Sequence, residues 1–290
     1  MSNSDNKIWR IVDLLEWSKA YLHKKNIESP QIEAELMLRD ILNLSRLDIY
    51  LNHNQIVNHQ ERTRLKDYLK KRVSGIPIQY IIGYTEFMGY KIFVSPDTLI
   101  PRQDTEVIVE QIYDRYDQDQ ELKILDLCTG SGCIAAALAG EFPSAHITAL
   151  DVSRPALKIA YTNFKNLKMD DRIKILHQDL LKNQTIDKKF DIIISNPPYI
   201  SGKMYDNLDP LVKLNEPYIA LNPGADELIF YKIIAGMTPN NLATNGELYI
   251  EIGGDYQVEK ITKIFIEKGL KNLEIIKDYN GISRGIKATR

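Results

Sequence analysis

The chain of 290 residues has two cysteines, two tryptophans, five histidines and a formal net charge of only -2. Each shortage removes a class of protein. Cys128 and Cys133 lie within one glycine-rich stretch; two residues cannot build a disulfide scaffold and read as small buried thiols in a reducing compartment. His23, His53, His59, His146 and His177 are scattered without ligand spacing, so no metal site is expected. No apolar run approaches the roughly 18 residues that a membrane helix needs. The polar start Met1–Lys7 lacks the apolar core of a signal peptide. A cytoplasmic address without membrane contact is the expectation. With 37 Lys and Arg against 39 Asp and Glu, nothing in the overall charge draws the chain to nucleic acid, and no direct binding to it is expected.

What is there divides into three parts. Up to residue 74 the periodicity is helical. Ile8, Trp9, Ile11, Val12, Leu15 and Trp17 open the pattern, Ser29-Pro30 starts a second helix, and His59–Val73 forms a third with Leu65, Tyr68 and Leu69 inward. This predicts a small bundle over 1–74, whose closing Lys70-Lys71-Arg72 reads as a solvated helix end. Between 75 and 102, glycines and prolines punctuate short β-rich pieces, Ile78–Ile82 and Tyr90–Val94, as in a hairpin linker. Leu99–Glu106 then leads into a helix over Val107–Tyr116. Across 103–290, strand candidates at Lys123–Leu127, His146–Leu150, Arg172–His177, Phe190–Ser195, Gly246–Ile252 and Leu273–Lys277 alternate with helical stretches. The pattern is that of a doubly wound α/β sheet, mostly parallel. After the Asn280-Gly281 turn, Ile282–Thr289 returns as an antiparallel C-terminal strand.

The chemistry is placed where the apolar strand Asp191–Ser195 stops at Asn196-Pro197-Pro198-Tyr199. Ligands of such sheets bind beyond the strand ends. Prolines cannot donate to a ladder, yet their carbonyls still accept. With the Asn196 carboxamide and the Tyr199 ring they form a cup of acceptors suited to a planar NH2 group. A second half lies at Asp126–Gly132, where a strand passes into a helix through two glycines. Gly130-x-Gly132 is a weak signal alone, and Ala135 is merely compatible with the third glycine of a dinucleotide motif. Asp151 and Asp179 end the next two strands. With Asp126 they make three acids in consecutive turns, poor for a pyrophosphate and good for a cationic nucleoside such as S-adenosylmethionine.

Glycine loop, strand-end acid and Asn-Pro-Pro-Tyr, in this order, resemble the class I adenosylmethionine-dependent methyltransferases of planar NH2 groups. Pro77–Gly83, Glu86-Phe87-Met88-Gly89, Leu99–Glu106 and Asp278–Arg284 narrow the resemblance to the HemK/PrmC family of release factor glutamine methyltransferases. The resemblance implies a Rossmann-like methyltransferase sheet over 103–290 and an N-terminal helical domain that recognises substrate; a monomer is the plain expectation. It implies S-adenosylmethionine, leaving as S-adenosylhomocysteine, against Cys128, Thr129, Gly130, Ser131 and Gly132, with Asp151 on the ribose, Asp179 and Leu180 near the adenine, and Asn196 adjacent. The partner would be a class I peptide chain release factor. Its Gly-Gly-Gln glutamine would be held by Asn196, Pro197, Pro198 and Tyr199, with Asn196, Pro197 and Tyr199 the catalytic set: two acceptors for the amide protons and a ring packed on the amide plane. Cys128 stands where many relatives carry glycine, and Gln103 where proline is common. The alternatives are an N6-adenine methyltransferase on nucleic acid, the sister enzyme acting on a ribosomal-protein glutamine, and a binding module that has lost activity.

Overall fold

The computed structural model describes residues 8–290, so the stretch Met1–Lys7 read above for a signal peptide lies outside the described residues. The chain divides after Gly83 into two compact units.

The first unit holds α1 (Ile11–Lys24), α2 (Pro30–Leu42), α3 (Arg46–Leu51), α4 (His59–Val73) and α5 (Ile78–Ile82). Ile11, Leu14, Leu15 and Leu22 repeat on one face of α1 and pack with Ala34, Met37, Leu38 and Ile41 of α2 and Leu65 and Leu69 of α4 in one core. Local chemistry sets the helix starts. Pro30 occupies the first turn of α2. Ser45 with Asp48, and Asn58 with Glu61, exchange side-chain and backbone hydrogen bonds at the starts of α3 and α4.

Two expectations fail in this unit. Ile78–Ile82 is helical rather than a β piece. Ile78 and Ile81, three apart, turn into the bundle core, and Gly83 closes the helix at φ +84°, its N–H donating to the Gln79 carbonyl at 2.8 Å. Burial on the helical face overrides the strand preference of a β-branched run. Arg72 is not solvated either: it is buried, with Nε donating to Glu33 Oε2 at 2.6 Å and Nη2 to Oε1 at 3.1 Å. It follows Leu69 by three residues and Leu65 by seven, and so shares their inward face.

The second unit begins with a hairpin, β1 (Tyr84–Phe87) and β2 (Tyr90–Phe93), turned through Met88 and Gly89 at φ +49° and +77°. Then follow α6 (Gln103–Tyr113), β3 (Lys123–Leu127), α7 (Cys133–Glu141), β4 (His146–Asp151), α8 (Arg154–Asn166), β5 (Ile173–His177) and β6 (Phe190–Ser195). After β6 come three short helices that the periodicity does not announce, α9 (Gly202–Asp206), α10 (Pro210–Asn215) and α11 (Tyr218–Leu221). The chain ends with α12 (Ile229–Asn241), β7 (Leu242–Glu251), α13 (Asp255–Glu267), β8 (Lys271–Lys277) and β9 (Ser283–Thr289).

Seven strands form one sheet in the order β5-β4-β3-β6-β7-β9-β8. The first five are parallel; β9 slots between β7 and β8 and runs antiparallel to both. Because helices cover both faces, β3 and β6 read as nearly unbroken apolar runs. The chain winds outward from β3 through β4 to β5, then returns to β6 on the other side of β3. That reversal opens a crevice beyond the carboxyl ends of β3 and β6. The Ser195 hydroxyl, donating to the Leu127 carbonyl at 2.8 Å, ties the two strand ends beneath it.

Candidate active site

The crevice is a cleft with about 1170 Å³ of free space, its open mouth included, enough for a small molecule or cofactor, whose pockets run to roughly 1,000 Å³. The β3–α7 loop forms one wall. Its residues alternate into left-handed conformations, with φ of +60° at Cys128, +55° at Gly130 and +79° at Gly132. The left-handed φ gives a physical reason for glycine at position 128, since a side chain there carries a steric cost. Where a Cβ would stand on Gly130 nothing lies within 4 Å, so this part of the loop is open. Gly132 serves another purpose. Its missing Cβ would come within 2.6 Å of the Phe164 ring and 3.0 Å of Ala160, so the glycine lets α7 seat on α8, and it does not line the cleft.

Cys128, Thr129, Gly130, Ser131, Asp151, Asp179, Leu180, Asn196 and Pro198, all expected in the site, meet along the cleft. Asp151 is a clamp: one carboxylate oxygen accepts the Gly130 N–H and the other the Ser153 N–H, each at 2.8 Å. Burial raises its pKa above the usual carboxylate range, opposed by these donors. Asp179 accepts from Leu181 N–H at 3.0 Å and pairs with Lys182 at 3.1 Å. Asp126, expected in the same acidic cradle, is instead fully buried and off the lining. It supports the loop from beneath by accepting the Thr129 hydroxyl at 2.5 Å, and burial pushes its carboxyl up to about 7.

The segment after β6 forms the opposite wall. Asn196 faces the cleft, and its Nδ2 donates to Thr105 Oγ1 at 3.2 Å. Pro198 lines the cleft, whereas Pro197 is buried and Tyr199 part-buried, both off the lining. The Tyr199 hydroxyl donates to Glu251 Oε1 at 3.0 Å, and its ring lies where a Cβ on Gly253 would come within 3.0 Å. Tyr199 therefore braces the cup from behind.

Two members of this wall escape the sequence reading. Thr105, in the first turn of α6, accepts from Asn196 and donates to Glu251 Oε2 at 2.5 Å. Glu251 ends β7, fully buried, and burial pushes its carboxyl up to about 7. Thr105 stands in the Pro-Arg-x-Asp-Thr-Glu run, which signals the position; for Glu251 a strand-end acid was the sole clue. Nearby, Glu216 accepts from the Ile100 N–H at 3.1 Å and from the Arg102 guanidinium, which ties the segment before α6 to the loop after α10.

The donor set fits S-adenosylmethionine better than a phosphate ligand. Arg102 is the one cation among the described lining residues, and its charge is committed to Glu216, while Asp97, Asp151 and Asp179 leave the cleft acidic.

Comparison with known proteins agrees. Residues 13–83 match the family model described as PrmC N-terminal domain, and residues 103–215 that described as methyltransferase small domain. A release factor glutamine methyltransferase of Rhodopirellula baltica is 34% identical over 97% of this chain and 96% of its own length. One of Geobacter sulfurreducens is 36% identical over 96% of each. A crystal structure of a methyltransferase from Pyrococcus furiosus superposes with a TM-score of 0.52 at 15% identity, covering 80% of this chain and 98% of that one. At that identity the likeness concerns the fold, a Rossmann-like methyltransferase sheet.

Proposed function

The chain belongs to the release factor glutamine methyltransferase family, and from that premise we propose how its residues carry out transfer of a methyl group to a glutamine side-chain amide. It is an S-adenosylmethionine-dependent protein-(glutamine-N5) methyltransferase. The substrate is a class I peptide chain release factor, and the acceptor is the glutamine of its Gly-Gly-Gln motif, met in the cytoplasm by a monomeric enzyme. S-adenosylmethionine, when bound, supplies an electrophilic methyl group. Cys128–Ser131 would hold it with Asp151 at the ribose and Asp179 and Leu180 at the adenine.

A glutamine amide nitrogen is a weak nucleophile because its lone pair is delocalised into the carbonyl. The Asn196 oxygen accepts one of its two protons, and the carbonyl of Pro197, a buried residue off the lining, would accept the other once the amide has seated, so that together they fix the direction in which the nitrogen faces. As the nitrogen gains a fourth bond it becomes positive, so both hydrogen bonds become charge-assisted and strengthen as the transition state forms. The surplus proton then leaves to water. One observation carries this reading: in Asn196, which lines the cleft, Nδ2 donates to Thr105, so the carboxamide oxygen is left to accept from a ligand. The helical unit and the Leu99–Glu106 segment would engage the body of the release factor.

The test is transfer of labelled methyl from S-adenosylmethionine to purified release factor, alongside a variant of that factor with its Gly-Gly-Gln glutamine changed to alanine and an adenine-rich DNA duplex. Label is expected on the unaltered factor alone. Label on the duplex would mean an adenine methyltransferase, and label on the altered factor would move the acceptor elsewhere.

A further inference from the structure

We propose that Thr105 and Glu251 are positioning residues for methyl transfer: ionised Glu251 accepts the hydrogen bond of the Thr105 hydroxyl, which obliges Asn196 to donate from its NH2 to Thr105 and to present its oxygen to the acceptor amide. The inference rests on the glutamine-methylation reading and assigns the cause of the Asn196 orientation. A hydroxyl has one proton to give, whereas a carboxylate only accepts. Both oxygens of Glu251 are engaged by donors, Oε2 by Thr105 at 2.5 Å and Oε1 by the Tyr199 hydroxyl at 3.0 Å. With its proton committed, Thr105 can only accept from Asn196, as the 3.2 Å contact from Nδ2 shows. A rotated carboxamide would set oxygen against oxygen with no proton between them, losing a hydrogen bond at a buried hydroxyl.

Protonating Glu251 reverses the chain. A carboxylic acid donates to Thr105, whose proton is then free for the Asn196 oxygen, and the rotated carboxamide turns its NH2 toward the acceptor, where two donors oppose each other. The surroundings place this change in an accessible range, since burial lifts the Glu251 carboxyl to about 7. The groups that face it are Thr105 and Asp104 on α6, Tyr199 after β6, Cys133 on α7 and Arg284 on β9, while the Tyr231 hydroxyl of α12 donates to its backbone carbonyl at 3.2 Å. Arg284 is itself paired with Asp104 at 3.0 Å and Asp278 at 2.8 Å.

The experiment measures kcat and KM for release factor from about pH 5.5 to 9 in the wild type, Thr105→Val, Thr105→Ser and Glu251→Gln, with S-adenosylhomocysteine affinity as the check on folding. The wild-type kcat should fall about tenfold per pH unit below the titration of one group. Thr105→Val should lower kcat by on the order of 10²-fold with KM nearly unchanged and should lose the acid limb, while Thr105→Ser restores both. Glu251→Gln should also lose the limb, and it decides the matter alone if the valine variant fails to bind S-adenosylhomocysteine. An acid limb that persists in the folded variants, or wild-type kcat in Thr105→Val, overturns the inference. A wild type that leaves the release factor unlabelled instead overturns the glutamine reading beneath it.

Discussion

The two units share one way of treating buried charge, and the α/β unit adds a second: its Glu216 and Glu247 meet cations as Glu33 does in the helical unit, but two of its carboxylates do not. In the helical unit Arg72 meets Glu33 through two hydrogen bonds, at 2.6 and 3.1 Å, so each charge is neutralised by the other. In the α/β unit Asp126 and Glu251 lie equally deep, and their side-chain partners are hydroxyls: Thr129 for the first, Thr105 and Tyr199 for the second. Neither carboxylate has an ion-pair partner within 4.0 Å among the described residues. A paired buried charge holds helices in register, whereas an unpaired one is raised in pKa by desolvation and titrates where a site can use it.

The comparison breaks most visibly at Arg72. Arg72→Ala leaves Glu33 buried without a cation and should cost about 3–5 kcal/mol in urea unfolding of the helical unit, whereas Arg72→Met combined with Glu33→Leu should be nearly neutral. Loss of stability in the double variant equal to that in the single would mean that the pair does more than neutralise itself. The reverse pattern is expected at Asn196. Asn196→Ala should lower kcat by on the order of 10²–10³ with an unchanged thermal midpoint; a kcat within twofold of wild type would remove Asn196 from the mechanism. Between these falls Gly132→Ala, which adds a methyl group against Phe164 at a left-handed φ of +79°. It should cost about 2–4 kcal/mol of stability, and weaken S-adenosylhomocysteine binding through the displaced loop.

A further effect is in pH dependence. Asp126 and Glu251 have folded-state pKa values near 7, above the ordinary carboxylate values of 3.8 and 4.5, so between these limits the folded protein binds more protons than the unfolded one. Stability should therefore fall as pH rises from about 4.5 to about 7. Asp126→Asn should flatten that fall in calorimetric scans of the cofactor-free protein; an unchanged slope would show that Asp126 titrates normally.

The legibility of the molecule in its sequence follows the same division. The β3, β4 and β6 strands are apolar runs with turn residues between them, and a sheet covered on both faces needs no more than that to be read. Asn196 and the Cys128–Gly132 loop were legible because strand ends adjoining unusual residues are local signals. Glu251 was not, because what makes it significant is a bond to Thr105, 146 positions away in the chain. Arg72 was misread for the opposite reason: the eye follows Lys70 and Lys71 into solvent, although spacing from Leu65 and Leu69 points inward. Tyr199 was expected to face the substrate as a flat wall, but it holds Glu251, and the short helices α9–α11 carry too few residues for any period to show.

The most direct measurement is fragmentation mass spectrometry of a release factor after reaction with this enzyme and S-adenosylmethionine, mapping the added methyl group to a single atom. One methyl on the side-chain nitrogen of the Gly-Gly-Gln glutamine, absent when Asn196→Ala replaces the wild-type enzyme over the same short reaction time, is the expected result. A methyl on any other residue, or undiminished modification by the Asn196→Ala enzyme, would contradict the reading of the cup after β6 as a glutamine-amide site.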